Sequence, residues 1–342
     1  MLQGEDARTG GTAKTLGEGR AGALSAAALE RLAAPASWYL LGPARELGAR
    51  PVERALAGRE LVLWRDEQGR PAALPARCAH QGARLAGGRV VAGALRCPFH
   101  GWAYGPDGRC VLAPGLPAPP GFAHLPALPL AERHGLLHLF LGPEPAFPLP
   151  FFPDRDPADL VADAPLRLEV ETPWYMVSAN GFDEQHFAHV HGRVHLAPPR
   201  LERPHPDALR AVHRFRITGR SPADRLARRA FGDEAVLDFT SWRGTVIVGS
   251  MGFGPFVNRL LVFVQPLGRA RCAVDFVLHL PRRLPAPARA LLRRLLRRFT
   301  ASFFLHEART LGAPRIDPQR LVSTDALLRE YLEWLVATAP AP

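Results

Sequence analysis

Lysine is almost missing from this chain: of 43 basic side chains, Lys14 is the one that is not arginine. With 35 prolines and 31 glycines, that bias reads as genome composition rather than function. The arginines form no run interleaved with aromatics, so nucleic-acid recognition is not expected. Four cysteines in 342 residues exclude a disulfide scaffold. No apolar run reaches the ~18 residues that a membrane-spanning helix needs. The first thirty residues carry Glu5, Asp6, Glu18 and Glu30 and no apolar core, so no signal peptide is expected, and a cytoplasmic protein with reduced thiols is the default. No G-x-G-x-x-G opens a helix after a strand, so no nicotinamide or flavin site is expected.

What is present is the balance of a globular protein, 47% hydrophobic and 22% charged, with a length that suggests two domains. The net charge of +11 suits docking of an acidic redox partner. Residues 1–33, rich in Ala and Gly, read as a disordered tail with a short helix near Leu24–Leu32, and 337–342 read the same way. From 36 to 145 short strands and Gly/Pro turns predict a small all-β domain, with strands at Leu61–Trp64 and Leu136–Leu141 and a hairpin turn at Tyr104–Gly108. Pro143, Pro145, Pro148, Pro150, Pro153 and Pro157 suggest a stiff linker over about 146–160. A second domain over 161–337 is predicted to hold a helix around 175–190, strands at 209–218, 235–249, 259–266 and 271–280, and a helix from Pro287 to Leu311. Alternation at Val274, Phe276, Leu278 and Leu280 predicts one buried face. The leucine and arginine pairs over 291–298 make the long helix amphipathic; covering its own sheet is expected ahead of lying on a membrane surface.

Two groups of residues carry the chemistry. Cys78-Ala79-His80 and Cys97-Pro98-Phe99-His100 offer two thiolates and two imidazoles, a donor set for a tetrahedral zinc or for a Rieske [2Fe–2S] centre. Cysteine precedes histidine in both loops, so each loop can send its Cys to one iron and its His to the other; this favours the cluster. Gly82 and Gly101 let the backbone come close. The runs Cys78–Ala83 and Cys97–Trp102, continued by Tyr104 and Gly108, closely resemble the Rieske domain of the Rieske non-haem iron oxygenases.

The second group is Asn180, Asp183, His186 and His191. The first three are spaced to share one face of a helix. His191 lies about 140° around from His186 on an ideal helix, so the helix must loosen or end there, and Gly192 is a natural stop. His189 and His195 stand at workable ligand spacings too and are ranked below as neighbours or surface residues. The segment resembles the N-x-x-D-x-x-H-x4-H iron motif of the same family. The resemblance implies that His186 and His191 bind mononuclear Fe(II), that Asn180 sits near it, and that Asp183 passes electrons from a Rieske histidine, His100, of a neighbouring subunit in a homotrimer.

The third iron ligand departs from the pattern. Where the family places an aspartate on the last long helix, this chain has Glu307. The apolar stripe Leu292, Leu296, Phe299, Phe303 runs onto it, and a carboxylate on the buried side of a helix must be paired or bound to metal. Asp317 and Asp325 are the alternatives. Cys110 and Cys272 are expected to be inert core residues; Phe253, Phe256 and Phe263 are weak candidates for a substrate pocket.

The resemblance implies an α+β protein, an all-β Rieske domain followed by a helix-grip, START-like catalytic domain with an antiparallel sheet and a long C-terminal helix. It implies a terminal oxygenase: NAD(P)H electrons arrive through a separate ferredoxin or flavin reductase, and O2 is used to monooxygenate a bulky apolar aromatic or polycyclic molecule. Desaturation, O-demethylation or arylamine N-oxidation at the same iron are alternatives, since the layout is similar to the group of 3-ketosteroid 9α-hydroxylase, O-demethylases and aminopyrrolnitrin oxygenase. An electron carrier without oxygenase chemistry is a more distant reading.

Overall fold

The computed structural model describes residues 24–219, 222–311 and 314–339, and the account below concerns these. The expected tail falls largely outside them, over 1–23. Residues 24–32, assigned to it, instead pack: α1 (Ala26–Glu30), capped by Ser25, buries Leu29 in the core of the second domain, with Leu24 and Leu32 beside it. At the other end α6 (Ala326–Thr338) takes in the first two residues of the expected tail and buries Tyr331, Leu332 and Leu335; residues 340–342 are not described.

The N-terminal half is built from strands β1 (Trp38–Pro43), β2 (Val52–Leu56), β3 (Arg59–Arg65), β4 (Pro71–Pro75), β5 (Arg89–Val91), β6 (Ala94–Arg96), β7 (Ala103–Tyr104), β8 (Cys110–Leu112), β9 (Leu130–Arg133) and β10 (Leu136–Phe140). They form three small antiparallel sheets, β1-β10-β9, β2-β3-β4 and β5-β6-β7-β8. Val62, Trp64, Leu74, Leu95 and Tyr104 pack around Cys78 and Cys97.

The second half is one antiparallel sheet with helices, the α+β arrangement expected. Its strands are β11 (Leu160–Ala162), β12 (Leu166–Val170), β13 (Arg193–His195), β14 (Arg200–His205), β15 (Ala208–Ile217), β16 (Glu234–Trp242), β17 (Val246–Phe253), β18 (Phe256–Pro266) and β19 (Cys272–Pro281). The order is β11-β19-β18-β17-β16-β15-β13, with β12 also on β19 and β14 also on β15. The predicted strand 235–249 is two strands: Arg243 and Gly244, both at positive φ, turn the chain between β16 and β17. Four further helices are α2 (Trp174–Ala179), α3 (Glu184–His189), α4 (Pro222–Phe231) and the long α5 (Ala286–Leu311). None of the helices described is long and apolar enough to cross a membrane.

β19 departs from the expected pattern. One face, Cys272, Val274 and Phe276, meets the helices, but the other is buried too. There Val277 joins a core made of Trp38, Leu40 and Phe140 from the first half and Val248 and Phe263 from the sheet. The polar residues on that face are paired rather than wet: Asp275 lies 3.0 Å from Arg167, and His279 lies 3.3 Å from His134. The proline-rich stretch belongs to the same core through Phe147, Leu149 and Phe152, so it is packed structure rather than a spacer.

Candidate metal centres and cavity

The two Cys/His loops are folded alike. In each the cysteine N–H donates to a carbonyl five residues on, Ala83 and Trp102, and the glycine four residues on donates back to the cysteine carbonyl. Those glycines, Gly82 and Gly101, sit at φ +69° and +73°, which favours glycine on conformational grounds.

Both thiols are buried. Burial pushes the Cys97 thiol up; the backbone N–H groups of Phe99 and His100 oppose this, and Cys78 beside it adds to the rise. Tyr104 Oη lies 3.1 Å from Cys78 Sγ. The His80 and His100 rings are 4.8 Å apart, and His80 stacks on Trp102 at 4.4 Å. His80 Nδ1 is buried without a partner, while His100 and its neighbour Phe99 are exposed. The two thiols lie side by side and so do the two imidazoles, a donor set that suits the two irons of a [2Fe–2S] cluster.

The second group does not lie on one helix. After α2, Asn180–Phe182 tighten into a single 3-10 turn, and Asp183, at φ −98°, ψ 100°, caps the start of α3 by accepting the His186 N–H at 2.9 Å. The expected single helix over 175–190 fails because a short acidic side chain competes for the backbone at its middle. The break turns Asn180 and His186 toward one point. α3 ends before His191, and Gly192, at φ +57° against the Gly219 backbone, turns the chain away.

Glu307 on α5 completes the site. His191 Nε2 lies 2.8 Å from Glu307 Oε1, His186 Nε2 lies 3.2 Å from Oε2, and the two Nε2 atoms are 3.1 Å apart. Two imidazole Nε2 atoms and one carboxylate face a common point, and Oε1 has no partner in hydrogen-bonding geometry. The donors fit a single cation in the two-histidine, one-carboxylate pattern of non-haem iron. Burial would raise the Glu307 carboxyl, but His186 and His191 outweigh it and hold it at about 2, so it is ionised. Asn180 Nδ2 donates to Oε2 at 3.1 Å, and the His191 ring stacks on Phe303 at 4.6 Å.

The competing ligands are elsewhere. His189 is exposed. His195 Nε2 meets His213 Nδ1 at 3.0 Å instead of the triad. Asp317 caps a 3-10 turn through Gln319, and Asp325 holds Gln185 and the Val322 N–H. His213 was not singled out in the sequence, because a histidine alternating with apolar residues on a strand looks like core. It is fully buried, its other ring nitrogen lies 3.1 Å from the Gly181 carbonyl, and burial, then His195, lowers it to about 4. It braces the turn that carries Asn180. The Cys110 thiol donates to the nearby Leu112 carbonyl, and burial pushes the Cys272 thiol up to about 12, which keeps it protonated.

The triad sits in the wall of a cavity of about 220 Å³. Alternate residues of the sheet face it, among them Leu168, Phe239, Ile247, Leu260 and Phe276, and α5 closes it with Phe299, Phe303 and Phe304. Phe253 lines it as expected. Phe263 does not: it is out of phase with Leu260 and Val262 and packs on His138 across the sheet. Phe256 stacks on Phe231 at the strand end.

Comparison with known proteins bears on both halves. Residues 37–129 match the Rieske [2Fe–2S] domain. Aminopyrrolnitrin oxygenase PrnD of Pseudomonas fluorescens is 38% identical over 175 residues, 48% of this chain and 47% of that protein. The oxygenase component of chloroacetanilide N-alkylformylase of Rhizorhabdus wittichii is 34% identical over 194 residues, 54% of each. The chain thus spans about half the length of the curated relatives it matches. Among solved structures, dicamba monooxygenase bound to 3,6-dichlorosalicylic acid aligns with a TM-score of 0.63 at 22% identity, over 89% of this chain and 98% of that one. Pseudomonas putida NdmA with caffeine aligns with 0.64 at 20%, over 88% and 89%. The chain carries a Rieske domain, with its [2Fe–2S] donor set, joined to a second domain in the fold of those Rieske oxygenase structures.

Proposed function

We propose that this Rieske protein is the oxygenase component of a multi-component system, taking electrons from a separate ferredoxin or flavin reductase, ultimately from NAD(P)H, to monooxygenate an apolar aromatic molecule with O2. The observation that carries the reading is the convergence of His186, His191 and Glu307 on one point in the wall of an apolar cavity, in a chain that also holds the Rieske donor set. A mere electron carrier has no use for either. An iron ion held by this triad supplies O2 activation at the positions the three ligands leave open.

The chain's own residues do the rest. Glu307 offsets the charge of the cation and is aimed by Asn180; the stack on Phe303 holds the His191 ring. The sheet and the three phenylalanines of α5 exclude water and select by shape. Insertion of oxygen at a carbon bonded to nitrogen or oxygen would release that carbon as an aldehyde, so N- or O-dealkylation is the same reaction on a different substrate. The name of the R. wittichii relative supports including it.

Between the centres, Asp183 is the residue through which His100 of the partner subunit would reach His186 in a homotrimer. Two features support this: His100 is exposed, and Asp183 is only half-buried, with Oδ1 committed to the His186 N–H. The basic chain suits docking of an acidic reductase in the cytoplasm.

Metal and sulfide analysis of anaerobically purified protein tests the core of the proposal. About three irons and two sulfides per chain are expected, with the visible spectrum of a Rieske cluster. The prereduced protein should then transfer one atom of labelled O2 to substrate in a single turnover. Two irons that stay at two after reconstitution with Fe(II) would reduce the protein to an electron carrier.

A further inference from the structure

The long helix α5 packs one side on the sheet, where Phe304 stacks on Phe276 at 3.8 Å, and leaves a second apolar side open. Its leucine pairs divide: Leu292 and Leu296 are half-buried, while Leu291 and Leu295 are 61% and 56% exposed. Phe299 at 43% and Leu305 at 45% continue the outer set. At about 100° per residue these four fall within an arc of about 120° and run for about 20 Å along the helix. The arginine pairs divide in the same way. Arg293 and Arg297 reach back to Asp163 at 4.0 and 3.3 Å. Arg294 and Arg298 are exposed on or beside the apolar arc, and among the described residues no acid pairs with them. From Ala286 to His306 the helix has five arginines and no acid. Phe299 belongs to two surfaces, since it is part of the outer stripe and also lines the cavity. The stripe thus reaches the rim of the cavity.

We propose that this outer face of α5 docks on a lipid bilayer carrying anionic headgroups, with the helix lying in the plane of the surface. A contiguous exposed apolar stripe calls for a partner. Leucine and arginine share the arc, so that partner must take up apolar side chains and meet cations along one edge. A bilayer does both: its acyl region accepts the leucines and Phe299, while the guanidinium groups stay at the phosphates on their long stems. A second copy presenting the same face would set arginine against arginine. An acidic protein would answer the charge but would need an apolar groove of the same length between its acids. The docking depends on no metal. Its use to the enzyme rests on the oxygenase reading: an apolar substrate dissolved in the bilayer would pass along Phe299 into the cavity without crossing water.

Cosedimentation of the full chain with vesicles tests the proposal. The wild type should bind phosphatidylcholine vesicles that contain phosphatidylglycerol about tenfold more tightly, or better, than phosphatidylcholine alone. The whole chain carries a charge of +11, so two pairs of arginines are compared: Arg294→Gln with Arg298→Gln on the face, and Arg269→Gln with Arg271→Gln, exposed at the turn between β18 and β19. The pair on the face should cost about tenfold or more in affinity, and the distant pair much less. Leu291→Gln with Leu295→Gln keeps the charge and should also cost about tenfold or more. None of the substituted side chains lines the cavity, and iron and sulfide content check that each variant is intact. No binding to the anionic vesicles overturns the proposal. So does an equal loss from the two arginine pairs, which would mean diffuse charge alone, or unchanged binding by the leucine variant. If that variant binds vesicles as before but its cluster is reduced more slowly by a plant-type ferredoxin, the face belongs to a protein partner instead. Turnover is measured separately: vesicle binding without it would sink the oxygenase reading and leave the lipid face standing.

Discussion

The Glu307 carboxylate is aimed at the two histidines because one of its oxygens is held. Asn180 takes Oε2, which leaves the carboxylate facing both Nε2 atoms. Glu307→Ala is therefore expected to lose the mononuclear iron and keep the cluster absorption; iron retained at the wild-type level would remove Glu307 as a ligand. Asp183 has two tasks that one substitution separates. Asparagine also caps helices well, so Asp183→Asn should leave α3 and both metal contents intact. Turnover should still fall by about tenfold or more, the scale of a lost partner beside a metal ligand. Single-turnover rates decide it: unchanged rates would show that the carboxylate is only a cap.

At the scale of elements, the turn between α2 and α3 is the sensitive piece. A Cβ at Gly181 would overlap the Phe239 ring, a cavity-lining side chain, and the Gly181 carbonyl faces His213. Gly181→Ala should cost about 1–3 kcal/mol by overpacking and weaken iron binding, as Phe239 or Asn180 must move. Denaturant unfolding and iron content read the two effects. This turn was not legible in the sequence. The ligand residues were, because their types and spacing are the chemistry itself. The helix break was not, because it depends on Asp183 choosing the His186 N–H over solvent, and His213 was hidden by its strand pattern. The strands of the sheet were readable as short apolar segments between turns, as in β15 and β18. They misled in β19, where Asp275 and His279 look solvent-facing: Arg167 of β12 pairs with the first and His134 of the neighbouring domain meets the second, which strand periodicity does not reveal. Likewise the prolines of 143–157 suggested a spacer, while the Phe147, Leu149 and Phe152 between them fix it to the core.

At the scale of the whole molecule, protonation couples to folding through buried histidines outside the two metal donor sets. Burial, then Arg133, lowers His138 to about 3; burial, then His134, lowers His279 to about 3; His213 lies at about 4. All three are neutral when folded at neutral pH. In the unfolded chain each takes a proton near its ordinary value of about 6.5. The unfolded state thus binds more protons below that value, and stability should fall as pH drops from about 6.5 toward 4, by up to about 1.4 kcal/mol per pH unit per histidine. Urea midpoints across that range check the sign. A flat profile would mean that these rings are not held neutral.

The core shared by Trp38, Phe140, Phe147, Phe152, Val248 and Phe263 has a consequence for heredity as well as for stability. A cluster-bearing half that stood on a free hinge could be traded between proteins like a cartridge. This one leaves with an apolar face torn open, and so does the sheet it abandons. The two halves are expected to melt together, bleaching the cluster and releasing the second metal in one transition. A transplanted Rieske half would need the matching side chains of β17, β18 and β19 to come with it. The seam makes partners of two modules whose chemistry alone would let them part.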